Sequence, residues 1–163
     1  MAQDFFGEYT CPLDEKNRAV LPMRLREAVE PARLKDGFMI TQGFEGGCLM
    51  LFMKDRWQEL SVEIDKLPFT DPRARLFKRF FFSSALEVPI DKIGRLTVAD
   101  FQCEAAGIGR EVVFNGMGDH VEIWAPDRWK KYCDENIGRY GEVAASLLEP
   151  SGGPTCGAPE CAS

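Results

Sequence analysis

The sequence predicts an α+β protein built from two copies of one small unit, and two repeated motifs carry that prediction. The run Asp14–Arg18 (DEKNR) is followed by Ala-Val-Leu, and 77 residues later Asp91–Arg95 (DKIGR) is followed by Leu-Thr-Val. The run KDRW that ends at Trp57 has a counterpart in the run PDRW that ends at Trp129, 72 residues later. Because both motifs recur in the same order, we interpret the chain as an internal duplication.

Each copy begins with a turn that leads into a short strand. Asn17 and Gly94 take equivalent positions in the two turns, and both residue types tolerate a positive φ. Apolar, β-prone runs follow at 19–21 and 96–98, so we expect a strand–turn–strand hairpin in each copy.

The later elements are expected in the same order in both copies. The predicted short helices lie at 22–29 and 100–106, the second hairpins at 38–41 with 48–52 and at 112–114 with 121–124, and further helices around Trp57 and Trp129. Asp71 and Pro72 open a linking helix over 71–83, because they suit an N-cap and a first helical turn. We assign its Phe cluster to core or subunit packing; a membrane-surface helix is the alternative. The domain limits that follow are 5–70, 71–83 and 84–135, with a disordered Pro/Gly-rich tail at 150–163.

Composition and charge restrict the kinds of function open to the chain. It is 163 residues long and 45% hydrophobic, which allows one sizeable core or two small ones. The net charge of −6 opposes bulk attraction to nucleic acid, so any DNA contact must come from a local basic patch. With no run near the roughly 18 to 20 apolar residues of a membrane helix and no export signal, we expect a cytoplasmic protein without a membrane partner.

The sequence favours a binding protein over an enzyme. Its one histidine, His120, lies in a Gly-Asp-His turn without a nucleophile motif, and the glycine clusters lack a Walker lysine. The six cysteines are scattered without a C-x-x-C pair, which indicates reduced thiols. Cys156 and Cys161 have no histidine nearby, a poor pattern for zinc. We therefore expect no catalytic residue, no metal site and no cofactor.

The duplicated turn carries residue types suited to reading DNA. The planar fork of Arg18 or Arg95 can donate to O6 and N7 of guanine in the major groove. Asp14 and Asp91, four residues earlier, can accept hydrogen bonds from the turn or hold the guanidinium, so we interpret them as orienting residues. For a single motif the alternative is an exposed Asp–Arg pair, worth about 0 to 1 kcal/mol, that has no DNA role. Its recurrence favours DNA binding.

Six further residues complete the predicted DNA-binding set. They are Lys16, Lys92, Asn17, Gly94, Arg24 and Arg26. We expect the two lysines, beside the arginines, to contact phosphates, which adds affinity without sequence preference.

A series of short motifs also runs through both copies in a fixed order. In the first copy they are Gly7-Glu8-Tyr9, Leu13-Asp14, Arg18, Leu21-Pro22, Arg26-Glu27-Ala28, Leu67-Pro68 and Thr70-Asp71-Pro72. In the second they are Glu87-Val88, Asp91–Arg95, Gly118-Asp119 and Glu122-Ile123-Trp124. Together, over about residues 5 to 135, these motifs resemble the MraZ family of transcriptional regulators.

The resemblance implies a fold, an assembly and a role. It implies an AbrB-like (SpoVT/AbrB) swapped-hairpin fold in each repeat, with the repeats packed as a pseudo-dimer and the subunits assembled into a homo-oligomeric ring. It also implies binding to short, G-rich direct repeats of double-stranded DNA in the promoter of the division and cell-wall gene cluster, usually with repression, and association with the nucleoid.

Three positions depart from the family pattern. Asn17 stands where the family usually has glycine, and asparagine is the next best residue for a left-handed turn. Ala99 replaces the proline that typically follows the strand, and Cys103 occupies the position matching Arg26. We therefore expect fewer basic contacts from the second repeat.

Two alternatives remain open from the sequence. One is a ring-forming scaffold that binds another protein and has no specific DNA binding. The other is an antitoxin-like AbrB protein, although such chains usually carry a single repeat and this one carries two.

Overall fold

The computed structural model describes residues 4–45 and 47–150. It separates the chain into two compact units, Met1–Tyr132 and Cys133–Ser163. The tail predicted to be disordered, 150–163, lies outside the described residues except for Pro150. No helix in the described ranges is long and apolar enough to cross a membrane.

Strands and short helices alternate along the chain, which confirms the predicted α+β class. The strands are β1 (Glu8–Pro12), β2 (Arg18–Val20), β3 (Phe38–Gln42), β4 (Leu49–Met53), β5 (Leu86–Val88), β6 (Arg95–Thr97), β7 (Glu111–Gly116) and β8 (Val121–Trp124). The helices are α1 (Met23–Glu27), α2 (Pro31–Leu34), α3 (Lys54–Asp65), α4 (Pro72–Ser83), α5 (Asp100–Ala106), α6 (Pro126–Asn136) and α7 (Tyr140–Leu148), with a 3-10 turn at Ile137–Arg139.

The two repeats exchange strands. Within the described residues, a six-stranded antiparallel sheet has the order β1-β7-β8-β4-β3-β5, and β2 pairs with β6 in a separate ribbon. Replacing each strand by its counterpart in the other repeat reverses this order and so reproduces it, which places a pseudo-two-fold axis between β8 and β4. Because β1 completes the hairpin of the second repeat and β5 that of the first, the swapped-hairpin pseudo-dimer is confirmed.

The first hairpin of each repeat was predicted with the wrong pairing. A turn does join β1 to β2, closed by the Asp14 amide donating to the Arg18 carbonyl at 2.9 Å. However, β1 pairs with β7, and β2 pairs with β6 across the pseudo-axis. The physical reason is burial: pairing β2 with β6 places Ala19 and Leu96, both 1% exposed, together in the core.

Local signals placed the helices well. The linking helix α4 begins after Asp71, whose side chain accepts from the Arg73 amide, and α5 ends at Gly107 with a φ of +66°. The first short helix ends earlier than predicted, at Glu27. Residues 137–148, for which the sequence gave no assignment, contain the 3-10 turn and α7.

The main core lies on one face of the sheet. Side chains from alternate sheet positions, such as Leu51 and Phe114, pack there against the β2–β6 ribbon and against Leu25 of α1. The opposite face carries two smaller clusters, one under α3 and α4 and one under α6. The ribbon is thus held by the core on one side and is open on the other.

Truncating a core side chain of the sheet should destabilise the whole unit. Phe114 is 0% exposed, so Phe114→Ala should lower the free energy of unfolding by about 3–5 kcal/mol through lost burial and a residual cavity. The matched control is Phe101→Ala on α5, where the ring is 48% exposed and the loss should be about 0.5–1 kcal/mol. Denaturant unfolding measures both, and equal losses would contradict this account of the core.

Candidate nucleic-acid interface

The outer face of the β2–β6 ribbon brings the two predicted arginines together. Arg18 pairs with Thr97 and Val20 pairs with Arg95, while Ala19 and Leu96 form the pair between them. Since alternate residues of a strand point to opposite faces, the buried Ala19–Leu96 pair leaves the other four on the exposed face. Arg18 and Arg95 are diagonal neighbours there, with Cα atoms about 7–8 Å apart.

Each arginine is held by the aspartate of its own turn. Asp14 Oδ1 accepts from the amides of Lys16 and Arg18, both at 2.9 Å, and its Oδ2 accepts from Arg18 Nε at 2.7 Å. The Asp side chain therefore shapes the turn and orients the guanidinium at the same time. Among the described residues, no hydrogen bond engages the two terminal nitrogens of Arg18.

The second turn repeats this arrangement closely. Asp91 Oδ1 accepts from the amides of Ile93 at 3.0 Å and Arg95 at 2.8 Å, and Oδ2 accepts from Arg95 Nε at 2.7 Å. Both arginine side chains are 31% exposed. Within the described ranges, the terminal nitrogens of Arg95 form no hydrogen bond either. Two forks of donors therefore face away from the core side by side.

The same hydrogen bonds keep both aspartates ionised. The Arg18 amide, followed by the Arg18 side chain, holds the pKa of Asp14 below its usual value. At the second turn the Arg95 amide and side chain lower the pKa of Asp91 to about 2. Each arginine is thus next to a carboxylate, which reduces the repulsion between the two neighbouring cations.

The two turns are supported differently. Asn17 has a φ of +57°, and its Nδ2 donates to Asp100 Oδ1 of α5 at 2.5 Å. Gly94 has a φ of +94°, and a Cβ there would lie 2.5 Å from Arg26 Nη1. Arg26 lies under the second turn, where it donates through Nε to the Leu21 carbonyl at 2.8 Å and through Nη1 to the Ile93 carbonyl at 3.3 Å. Both turns are therefore buttressed from the other repeat.

The other predicted site residues are distributed around the ribbon. Lys16 and Lys92 are exposed on the turns, and Arg24 is exposed on α1. Cys103, the counterpart of Arg26, is buried, and its Sγ donates to the Val98 carbonyl at 3.7 Å. The second repeat thus has no cation at this position.

Sequence reasoning missed the surroundings of the arginines. Val20 and Thr97 share the outer ribbon face with them, a placement that the period of two within each strand would have shown once β2 and β6 were known to pair. A cleft of about 580 Å³ adjoins the ribbon, lined in part by Tyr9, Pro12 and Leu13 beside both arginines. Its strands β1 and β2 come from one repeat, but the Arg95 wall comes from the other.

Residues with metal-ligand chemistry do not cluster at the ribbon. Within 4–45 and 47–150, no group of three or more His, Cys, Asp or Glu side chains could hold a metal ion. His120 lies elsewhere, with Nδ1 2.7 Å from Asp119 Oδ1 and its ring stacked on Phe52 at 5.0 Å between centroids. Cys156 and Cys161 are outside the described residues.

Comparison with known proteins gives one consistent family. The family model described as MraZ protein matches residues 5–80 and 81–141. A relative from Heliobacterium modesticaldum named Transcriptional regulator MraZ is 41% identical over 145 residues, covering 89% of this chain and 97% of the relative. Relatives of the same name from Lactobacillus delbrueckii subsp. bulgaricus and Clostridium tetani are 38% identical over 143 residues and 37% identical over 145 residues. These cover 88% and 89% of this chain, and 96% and 97% of the relatives, respectively.

The hydrogen bonds at the second turn predict its behaviour in acid. Asp91 should titrate near pH 2, against about 3.9 in the unfolded chain. Because the folded pKa is the lower one, the stabilisation from Asp91 is present above about pH 3.9 and is lost as the pH falls toward 2. NMR titration of the Asp91 carboxyl carbon measures this value.

Arg95→Ala is the matched variant for this titration. It removes the Nε–H donor and the positive charge but keeps the backbone amide, so the pKa of Asp91 should rise only part of the way to its usual value. Titration of wild-type Asp91 near 3.9 would show that the clamp does not form in solution.

Proposed function

Because the chain belongs to the MraZ family of transcriptional regulators, we propose that it regulates transcription by binding specific DNA, and that it represses the division and cell-wall gene cluster from repeats in the promoter. The observation that carries this proposal is the outer ribbon face. Arg18 and Arg95 lie side by side there, each held through Nε by its own aspartate, with both terminal nitrogens turned to donate.

The ribbon matches the dimensions of the DNA major groove. A two-stranded β-ribbon fits this groove, and an arginine fork bonds O6 and N7 of guanine. The separation of about 7–8 Å between the two Cα atoms corresponds to about two base-pair steps of 3.4 Å. The site therefore reads two guanines about two base pairs apart, in agreement with a G-rich target.

The remaining basic residues divide into two roles. Lys16, Lys92 and Arg24 are exposed around the ribbon and contact phosphates, which positions the ribbon without reading sequence. Arg26 supports the second turn from below, because its Nε and Nη1 already donate to backbone carbonyls. The DNA-reading body comprises both repeats, 5–70 and 84–135, joined by the helix over 71–83.

Several copies must act together for useful affinity. One ribbon offers two base-reading arginines, and the net charge of −6 repels DNA from the rest of the surface. A homo-oligomeric ring that faces direct repeats solves this, because each bound copy raises the effective concentration of the next ribbon at its own site. Residence on promoter DNA would associate the protein with the nucleoid.

Removing the arginines should abolish sequence preference. For Arg18→Ala or Arg95→Ala, each lost bidentate contact should reduce discrimination between the promoter repeats and a scrambled sequence by about 1–3 kcal/mol per ribbon. Fluorescence anisotropy over a salt series measures this preference. Arg33→Ala is the matched control, since Arg33 also pairs with an aspartate, Asp55, away from the ribbon. Sequence-indifferent binding by the wild type would instead indicate a protein-binding scaffold.

Removing a turn lysine should have a different signature. Lys16→Ala or Lys92→Ala should weaken binding to repeat and scrambled DNA alike and lower the slope of log K against log salt by about 1 per binding ribbon. The same anisotropy series gives both quantities. A loss confined to the promoter repeats would show that the lysine reads bases and would contradict its assignment to phosphates.

A further inference from the structure

Helix α4 exposes a basic and apolar ridge. Leu76 and Phe80, one helical turn apart, are 59% and 61% exposed, while Ala74 and Phe81 on the opposite side are buried. The sequence of α4, PRARLFKRFFFS, contains four cations and no acid. Arg79 flanks the ridge and has no ion-pair partner among residues 4–45 and 47–150. We call Leu76, Arg79 and Phe80 the α4 ridge.

Beside this ridge is a cavity of the opposite character, with a volume of about 380 Å³. Its lining contains no lysine or arginine and consists of Phe44, Glu45, Met50, Met117, His120, Glu122, Trp124, Trp129 and Tyr132. Three of its rings form one cluster, with Trp124 lying 5.3 Å from Trp129 and 5.2 Å from Tyr132 between centroids. We call this the acidic aromatic cavity.

Both carboxylates of the cavity are free of ion pairs within the described part of the chain. Glu122 Oε2 accepts from Trp124 Nε1, and Glu45 Oε2 accepts from the Tyr132 hydroxyl, both at 2.8 Å. Their negative charge is felt nearby: burial, and then the carboxylate of Glu122, raise the pKa of the Cys48 thiol to about 12, with a smaller contribution from Glu45. Aromatic faces next to carboxylates favour a cation.

The cavity exists because the two repeats are covered differently. In the first repeat α4 covers this part of the sheet: Phe81 stacks on Trp57 at 4.9 Å, and the Thr41 hydroxyl donates to the Phe81 carbonyl. Register places Asn115 and Glu122 of the second repeat where Thr41 and Met50 lie in the first.

The second repeat is correspondingly more polar at this place. Asn115 is 5% exposed, and its Nδ2 has no hydrogen-bond partner among the described residues. No element of 84–132 takes the place that α4 has in the first repeat.

Ridge and cavity are neighbours on one surface. Phe44 lines the cavity and also the groove along α4 that Leu76 and Phe80 border. One copy thus presents a convex basic element directly beside a concave acidic one. A surface with this property is complementary to itself after rotation about a two-fold axis.

We propose that the α4 ridge of one copy docks into the acidic aromatic cavity of a second copy across a two-fold axis near Phe44, so that both contacts form at once. Leu76 and Phe80 cover the exposed rings, and Arg79 faces Glu45 and Glu122. Opposite charges set the register, and the apolar centre excludes water.

This contact rests on the proposed function only in that several copies act together, and it names the surfaces that join them. Because the contact is two-fold, it joins copies in pairs. A closed assembly that uses it at every subunit contains an even number of chains.

Charge reversal on each surface tests the contact without DNA. Glu45→Lys with Glu122→Lys makes the cavity basic, and Arg75→Glu with Arg79→Glu makes the ridge acidic. Each double variant alone should lower the assembly mass at least two-fold, because like charges then face each other. An equimolar mixture of the two should restore the mass, as should the four changes combined in one chain. Native mass spectrometry at low protein concentration gives the mass and the number of chains.

Two further variants keep the result clear of folding effects. Phe80→Asp changes a ring that lies outside the core and should lower the mass while leaving the melting temperature near that of the wild type. Glu104→Lys with Glu111→Lys, two exposed acids on other elements, is the matched charge control and should not change the mass.

Three results would overturn the contact. They are a wild-type mass for both charge reversals and for Phe80→Asp, a mixture that fails to restore the mass, or a closed assembly with an odd number of chains. Sequence preference for DNA depends on Arg18 and Arg95, so either proposal can fail while the other stands.

Discussion

The pairing of β2 with β6 is the constraint on which the rest of the structure depends. Each strand is only three residues long and has no partner within its own repeat. Pairing across the pseudo-axis satisfies both backbones and buries Ala19 and Leu96 in the shared core. Neither repeat can therefore complete its fold alone. The same register places Arg18 diagonally opposite Arg95, so the step that completes the core also assembles the candidate interface.

The two arginines can be neighbours because each has its own carboxylate. The aspartates accept from Nε and from the turn amides, which fixes the guanidinium plane and leaves the terminal nitrogens to donate outward. Fixing the side chain before binding reduces the entropy lost when a ligand is bound. In a chain of net charge −6, this arrangement confines attraction for a polyanion to one small face.

Departures from two-fold symmetry distinguish the two ends of the molecule. The ribbon and its clamps are nearly symmetric, whereas Arg26 is matched by Cys103 and the helix-covered Met50 is matched by Glu122 at an open cavity. Duplication within one chain permits this, because each copy can change without changing the other. One half of the sheet is closed by α4 and the other keeps unpaired carboxylates, which gives a single chain two surfaces of opposite charge.

The sequence by itself determined the duplication, the α+β class, the limits of α4 and α5 and the identity of the arginine turns. These features depend on local chemistry: Asp71 caps α4, Gly107 ends α5, and Asp14 and Asp91 bond to amides two and four residues away. Only the tertiary structure decided that β2 pairs with β6, that Arg26 supports the opposite turn, and that Phe44 lies between a basic ridge and an acidic cavity. These contacts join residues far apart in the chain, and their free energy comes from burial shared by both repeats, which no local pattern of residues records.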